Sequence, residues 1–171
     1  NRIWLGTDEY TFRLSYTDTI YTIDHVLKGN YSDDIHFAPH KGSVFTTSNG
    51  QVFQPNHGLF ELTEEGDSII PKRINIFPHT VPNDDGDLMI NEIQESKDGY
   101  LYIATMNYGL IVYHPEKATV ERFAENNSIL PNSLRSCKKD NGGNIYLSDI
   151  HNTTLFFAKK EIGSFRKIRY N

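Results

Sequence analysis

Cysteine occurs once in these 171 residues, at Cys137, so an intrachain disulfide is impossible and a cysteine-built metal centre is excluded. No apolar run approaches the ~18 residues of a membrane-spanning helix. The chain opens at Asn1 on a strand-like motif instead of a charged and then apolar leader, and reads as a segment of something longer. Helical periodicity is scarce throughout, which argues against an α-helical or α/β domain. Seventeen basic residues face 22 acidic ones, for a formal net charge of -5, and no basic stripe is long enough to follow a phosphate backbone, so nucleic acid is not expected as a partner.

What is present is a globular composition, 37% hydrophobic and 12% aromatic, enough to build a core. Apolar runs of five to eight residues recur between clusters of Gly, Asn, Asp and Pro, the mark of an all-β chain. Within them one motif returns: Ile3–Thr7, Val44–Ser48, Leu101–Thr105 and Ile145–Asp149, at steps of 41, 57 and 44 residues. Its second position is aromatic (Trp4, Phe45, Tyr102, Tyr146) and its fourth is small (Gly6, Thr47, Ala104, Ser148). That suits a strand packed on both faces.

Each repeat has room for about four short strands, a four-stranded antiparallel meander of the kind that forms the blade of a β-propeller. About four blades are expected, as part of a larger, seven-bladed ring: an incomplete blade over residues 1–27, then blades over 34–78, 88–125 and 132–171. The third and fourth read as complete, with Asp98-Gly99 and Gly142-Gly143 at their first hairpins. In the second, strands are expected at Asp34–Pro39, Ser43–Ser48, within Gly50–Leu62 and at Arg73–Phe77, with about 13 to 16 extra residues between Ser48 and Arg73 forming a loop or an added hairpin. A partial ring leaves blade faces bare, which predicts self-association as a dimer through blade faces or edges.

The stretch from Asp98 to Phe123 resembles the two-component regulator propeller repeat. That family's usual pattern is Asp-Gly, a WIGT-like strand, a Gly-Leu strand ending in Tyr-Asp, and an aromatic closing strand. Asp98-Gly99, Tyr102, Ala104-Thr105, Gly109-Leu110 and Tyr113 hold those places, and Asn1–Thr7 fits most literally. Val44–Ser48 with Gly58-Leu59-Phe60, and Gly142–Tyr146, extend the resemblance over nearly the whole chain, with departures at Thr46-Thr47 and Asp149. The resemblance implies a non-catalytic, periplasmic sensor segment of a Bacteroidetes-type hybrid two-component system. In that reading a soluble propeller segment of a membrane-anchored parent binds an oligosaccharide, and a histidine kinase elsewhere carries the signal.

In a propeller the loops between second and third strands, and those joining blades, share the face where ligands generally bind. The candidates there are Tyr10 in repeat one, Asn49 and His57 in repeat two, Asn107 and Tyr108 in repeat three, and His151 and Asn152 in repeat four. Tyrosines can stack on a sugar ring, while Asn and His exchange hydrogen bonds with hydroxyls. No cofactor or metal is expected. Asp84-Asp85-Gly86-Asp87 lacks the alternating ligands and distal Glu of a calcium loop, and the seven histidines form no helical zinc pair. No nucleophile elbow occurs, and Cys137 falls on an innermost strand as inert packing. Two alternatives to the sensor are a propeller lyase or glycosidase, for which Asp8, Glu9 and Asp149 are the available acids, and a structural interaction module.

Overall fold

The computed structural model describes residues 2–7, 9–18, 20–28, 30–32, 35–37, 44–56, 58–77, 88–151, 154–158 and 164–168. They belong to two compact units, Asn1–Asn75 and Ile76–Asn171. Every helix or strand element among the described residues is a strand, so the chain is all-β.

In the first unit, β1 (Arg2–Gly6), β2 (Tyr10–Thr17) and β3 (Ile20–Lys28) form a three-stranded antiparallel sheet. A separate two-stranded ribbon joins β4 (Asn30–Ser32) to β5 (Ile35–Phe37). The next sheet is a four-stranded meander of β6 (Phe45–Thr46), β7 (Val52–Asn56), β8 (Gly58–Glu65) and β9 (Ser68–Ile74). The second unit holds two more such meanders. One is β10 (Ile90–Glu95), β11 (Leu101–Thr105), β12 (Leu110–His114) and β13 (Thr119–Phe123); the other is β14 (Leu134–Lys139), β15 (Ile145–Asp149), β16 (Leu155–Ala158) and β17 (Phe165–Ile168).

The second repeat departs from the sequence expectation. Ile35–Phe37 pairs with Asn30–Ser32 and not with the sheet, and the Val44–Ser48 motif supplies the first strand of the meander instead of the second. The turn that follows shows why. Thr47 N donates to Gln51 O at 2.9 Å and Gly50 N to Thr47 O at 3.0 Å. The first hairpin of each later sheet has the same pair of bonds: Ser96 N to Tyr100 O (2.8 Å) with Gly99 N to Ser96 O (3.3 Å), and Asp140 N to Asn144 O (3.1 Å) with Gly143 N to Asp140 O (3.0 Å). Gly50, Gly99 and Gly143 all have positive φ, which glycine adopts without a Cβ penalty.

The equivalent of Leu101–Thr105 is therefore Val52–Asn56. Counted from Ile3, Val52, Leu101 and Ile145, the steps become 49, 49 and 44 residues, and the apparent insertion disappears. Pro55 lies inside this strand, although proline is disfavoured within a sheet. Among the described residues β6 pairs with Val52 and Phe53, and Pro55 is paired with Leu59 of β8.

Alternation along the strands sorts side chains into two faces. In the second unit, Tyr102 and Ala104, at the motif's second and fourth positions, pack with Leu110 and Val112 against Ile145, Leu147, Phe156 and Cys137 of the next sheet. In the first unit, Trp4 and Leu27 lie against Val52, Phe60, Leu62 and Ile69. Aromatic-and-small faces of one sheet thus meet aliphatic faces of the next. Polar contacts also cross the junction in the first unit: Thr11 Oγ1 donates to Gln54 Oε1 at 2.9 Å in a buried site, and Glu64 pairs with Arg13 at 2.8 Å and with Arg2 at 2.6 Å.

Candidate functional site

Among the described residues, the loops after three of the motif strands are built on one recurring contact. Thr105 N donates to Gly109 O at 3.0 Å, and its hydroxyl donates to the same carbonyl at 2.8 Å while accepting from Tyr108 N at 2.9 Å. Thr7 repeats this with Tyr10: N to O at 2.7 Å, hydroxyl to O at 3.1 Å, and Tyr10 N to the hydroxyl at 3.0 Å. In the last sheet Asp149 stands at this position; its amide donates to Thr154 O at 3.2 Å, and its carboxylate accepts from His151 N at 2.8 Å. A short polar side chain that bonds its own loop is the usual local solution to a turn. The repeat's closing residue therefore serves loop geometry.

The structure brings three of the candidate positions to one end of the second unit. Innermost strands β10 and β14 are tied at their starts by Asn91 Nδ2 donating to Leu134 O at 2.7 Å, and further along by Glu92, which accepts from Cys137 N at 3.0 Å and pairs with Lys138. Both loops after the motif strands lie at the start end, because Ile90 is paired with Thr105 and Leu134 with Asp149. The connection between the sheets then joins the two loops: Gly109 N donates to Asn132 O at 2.7 Å, and Ile150 N to Ser133 O at 3.2 Å. Asn107 and His151 are exposed on these loops.

Tyr108 is half-buried and held in place. Its ring meets the edge of Phe77 at 5.3 Å, and the Arg122 guanidinium lies over it at 5.6 Å from the centroid. Arg122 Nε also donates to the Tyr108 carbonyl at 2.8 Å, and Nη2 reaches Asn132 Oδ1 at 3.5 Å. The side chain of Asn132 donates in turn to Glu125 at 3.3 Å. Arg122 and Asn132 were not among the sequence candidates. The connection between blades was recognised as facing the same end, but only the tertiary fold shows which of its residues reach the loops.

The other candidates are placed differently. Tyr10, half-buried in the first unit, sits at the corresponding loop with its ring 6.0 Å from that of Phe12. Asn49 lies in the β6–β7 hairpin, equivalent to Asp98 and at the opposite end of its sheet from the β7–β8 turn. This corrects its expected location, and the reason is the one-strand shift of the second repeat. His57 and Asn152 lie outside the described residues. Among the described residues no three of His, Cys, Asp or Glu gather as a metal site, and no helix is long and apolar enough to cross a membrane.

No protein-family model and no curated protein matches the sequence. Solved structures do match. The extracellular domain of BT4673 from B. thetaiotaomicron, a candidate one component system, superposes with a TM-score of 0.73 at 17% identity, covering 98% of this chain and 23% of that one. The extracellular domain of BT3049 from B. thetaiotaomicron, a candidate hybrid two component system, gives 0.61 at 16%, covering 96% of this chain and 21% of that one. Virginiamycin B lyase from Staphylococcus aureus gives 0.64 at 12%, covering 99% of this chain and 52% of that one. The chain thus spans about a fifth to a half of the length of these structures. At such identities the likeness is one of fold, and the fold is that of β-propeller blades.

Proposed function

We propose that this chain is a non-catalytic, extracytoplasmic sensor segment of a two-component-type regulator, and that the loop end of its second unit binds an oligosaccharide. The resemblance of the repeat, and the fold shared with extracellular domains of candidate one- and two-component systems, support the sensor role and the periplasmic location. One observation carries the binding reading: the loops bearing Asn107, Tyr108 and His151 are both bonded to the 131–133 connection, so amide, phenol and imidazole groups stand at one end of packed sheets. A membrane-anchored parent with a histidine kinase outside this segment would receive the signal.

Calorimetric titration with oligosaccharides tests the reading. A binding sugar should lose about tenfold in affinity on Asn107→Ala or His151→Ala, the scale of one or two hydrogen bonds. Unchanged affinity in both variants would overturn the placement of the site.

A second reading is a carbohydrate-active enzyme, since the same fold also occurs in an enzyme, virginiamycin B lyase. New unsaturated ends or shortened chains after incubation with polysaccharide would establish it in place of the receptor. Asp149 is a poor base for such chemistry because it is 9% exposed and already accepts the His151 amide.

A further inference from the structure

The innermost strands of the second unit each carry one residue too many. Along β14, Leu134 is paired with Asp149 and Ser136 with Ser148, so Arg135 has no opposite residue on β15. Along β10, Ile90 is paired with Thr105 and Glu92 with Ala104, which leaves Asn91 in the equivalent place. The packing shows the consequence. Leu134 and Cys137 are three apart, a spacing that strict alternation puts on opposite faces, yet both are buried in one core cluster. The extra residue at Arg135 returns them to the same face. A bulge of this kind re-aims a side chain, and bulges are over-represented beside functional sites.

Both bulges lie at the loop end. Asn91 Nδ2 holds the carbonyl of Leu134 at 2.7 Å, and Ser133 O accepts from Ile150 N at 3.2 Å. The backbone leading into Arg135 is therefore bonded to β10 and to the loop of His151. Arg135 is exposed, and among the described residues no carboxylate pairs with it. The acids of the surrounding elements are engaged: Glu92 with Lys138 and Cys137 N, Asp149 with His151 N, and Glu125 with Asn132. Arg122, by contrast, spends its Nε on the Tyr108 carbonyl and lies over that ring. In a propeller the innermost strands line the central channel, and this holds however many blades complete the ring.

We propose that Arg135 makes the site selective for an acidic oligosaccharide, its guanidinium pairing with the carboxylate of a uronic acid unit at the channel mouth. The inference rests on the receptor reading above and adds the class of sugar. A guanidinium presents paired N–H donors that fit a planar carboxylate in two parallel bonds, which a neutral hydroxyl cannot match. Asn91 acts as a positioning residue, because its amide fixes the backbone from which Arg135 projects.

Calorimetric titration with uronic acid oligosaccharides from pectin, alginate and hyaluronan, each beside its carboxyl-methyl ester and beside neutral oligosaccharides, tests the proposal. At least one free acid should bind about tenfold or more tightly than its ester, and Arg135→Gln should remove that difference without shifting the circular dichroism melt. Arg135→Lys should restore part of it, since the charge returns without the paired donors. Added salt should weaken binding of the free acid, and less so in Arg135→Gln. Neutral sugars that bind and lose affinity on Asn107→Ala or His151→Ala, with no acid preferred to its ester, would overturn the acidic selectivity and leave the receptor reading standing. A preference for the acid that survives Arg135→Gln would overturn the role of Arg135. Absence of binding by every acid and every neutral sugar would overturn both.

Discussion

Gly109 lies so close to Phe123 that a β-carbon on it would sit 2.3 Å from the Phe123 carbonyl oxygen and 3.0 Å from Ala124 Cβ. Its φ of +75° adds a backbone preference to the steric one. Gly109→Ala should therefore destabilise the chain by about 3 kcal/mol, since neither the carbonyl nor the strand carrying it can move aside cheaply. Gly50 has φ +90° and nothing within 4 Å of a β-carbon, so Gly50→Ala should cost about 1 kcal/mol, the conformational part alone. Urea denaturation of the two variants measures the difference.

Thr11 and Gln54 form a buried bond of 2.9 Å between neighbouring sheets of the first unit. Thr11→Val keeps the volume but leaves Gln54 Oε1 without that donor, which should cost about 1 to 3 kcal/mol. Thr11→Val combined with Gln54→Leu should lose less than the two single changes added together. A double-mutant cycle reads this coupling, and strict additivity would show that the bond contributes nothing.

Asp140 is held ionised by its loop. Asn144 Nδ2 donates to it at 2.7 Å, Asn144 N at 2.9 Å and Tyr146 Oη at 3.2 Å. The Asn144 bonds, side chain first and then backbone, lower the carboxyl below its ordinary value of 3.8. A lowered folded value means stability present above 3.8 and lost as pH falls through the folded value. Asp140→Asn should flatten the acid limb of a stability-against-pH curve, with the difference from the parent shrinking below about pH 4 as the parent's own carboxylate protonates.

Burial raises the Cys137 thiol far above its ordinary 9.0, with the nearby Glu92 carboxylate adding to the effect. The thiolate is the reactive form, so iodoacetamide at neutral pH should leave the folded chain unlabelled. Labelling should appear in urea with the same midpoint as the loss of circular dichroism. Rapid labelling of native protein would mean that the β14 strand opens locally.

The third and fourth sheets were legible strand by strand. In each, a Gly-bearing hairpin, an apolar run with its aromatic at the second position and a second short run leave little choice of register. Repeat two differs from its expectation because two Val-Phe strands follow each other, Val44–Ser48 and Val52–Asn56, and the strand expected within Gly50–Leu62 is the second of its blade and not the third. That shift also carried Asn49 to the wrong end of the sheet. Tyr108 and His151 were found as loop residues, whereas Arg122 was not, because a strand residue reaching across to a loop carbonyl leaves no trace in local pattern.

The sequence by itself determined an all-β chain of repeated meanders, because alternation, glycine turns and a recurring strand motif are local properties written residue by residue. It also marked the apolar side chains that must be covered. Only the tertiary structure decided which of two similar strands is the repeat's second, and which connection ties the loops of Asn107 and His151 together. Each of these depends on hydrogen bonds and packing between residues far apart in the chain, and such partners are chosen by the whole sheet.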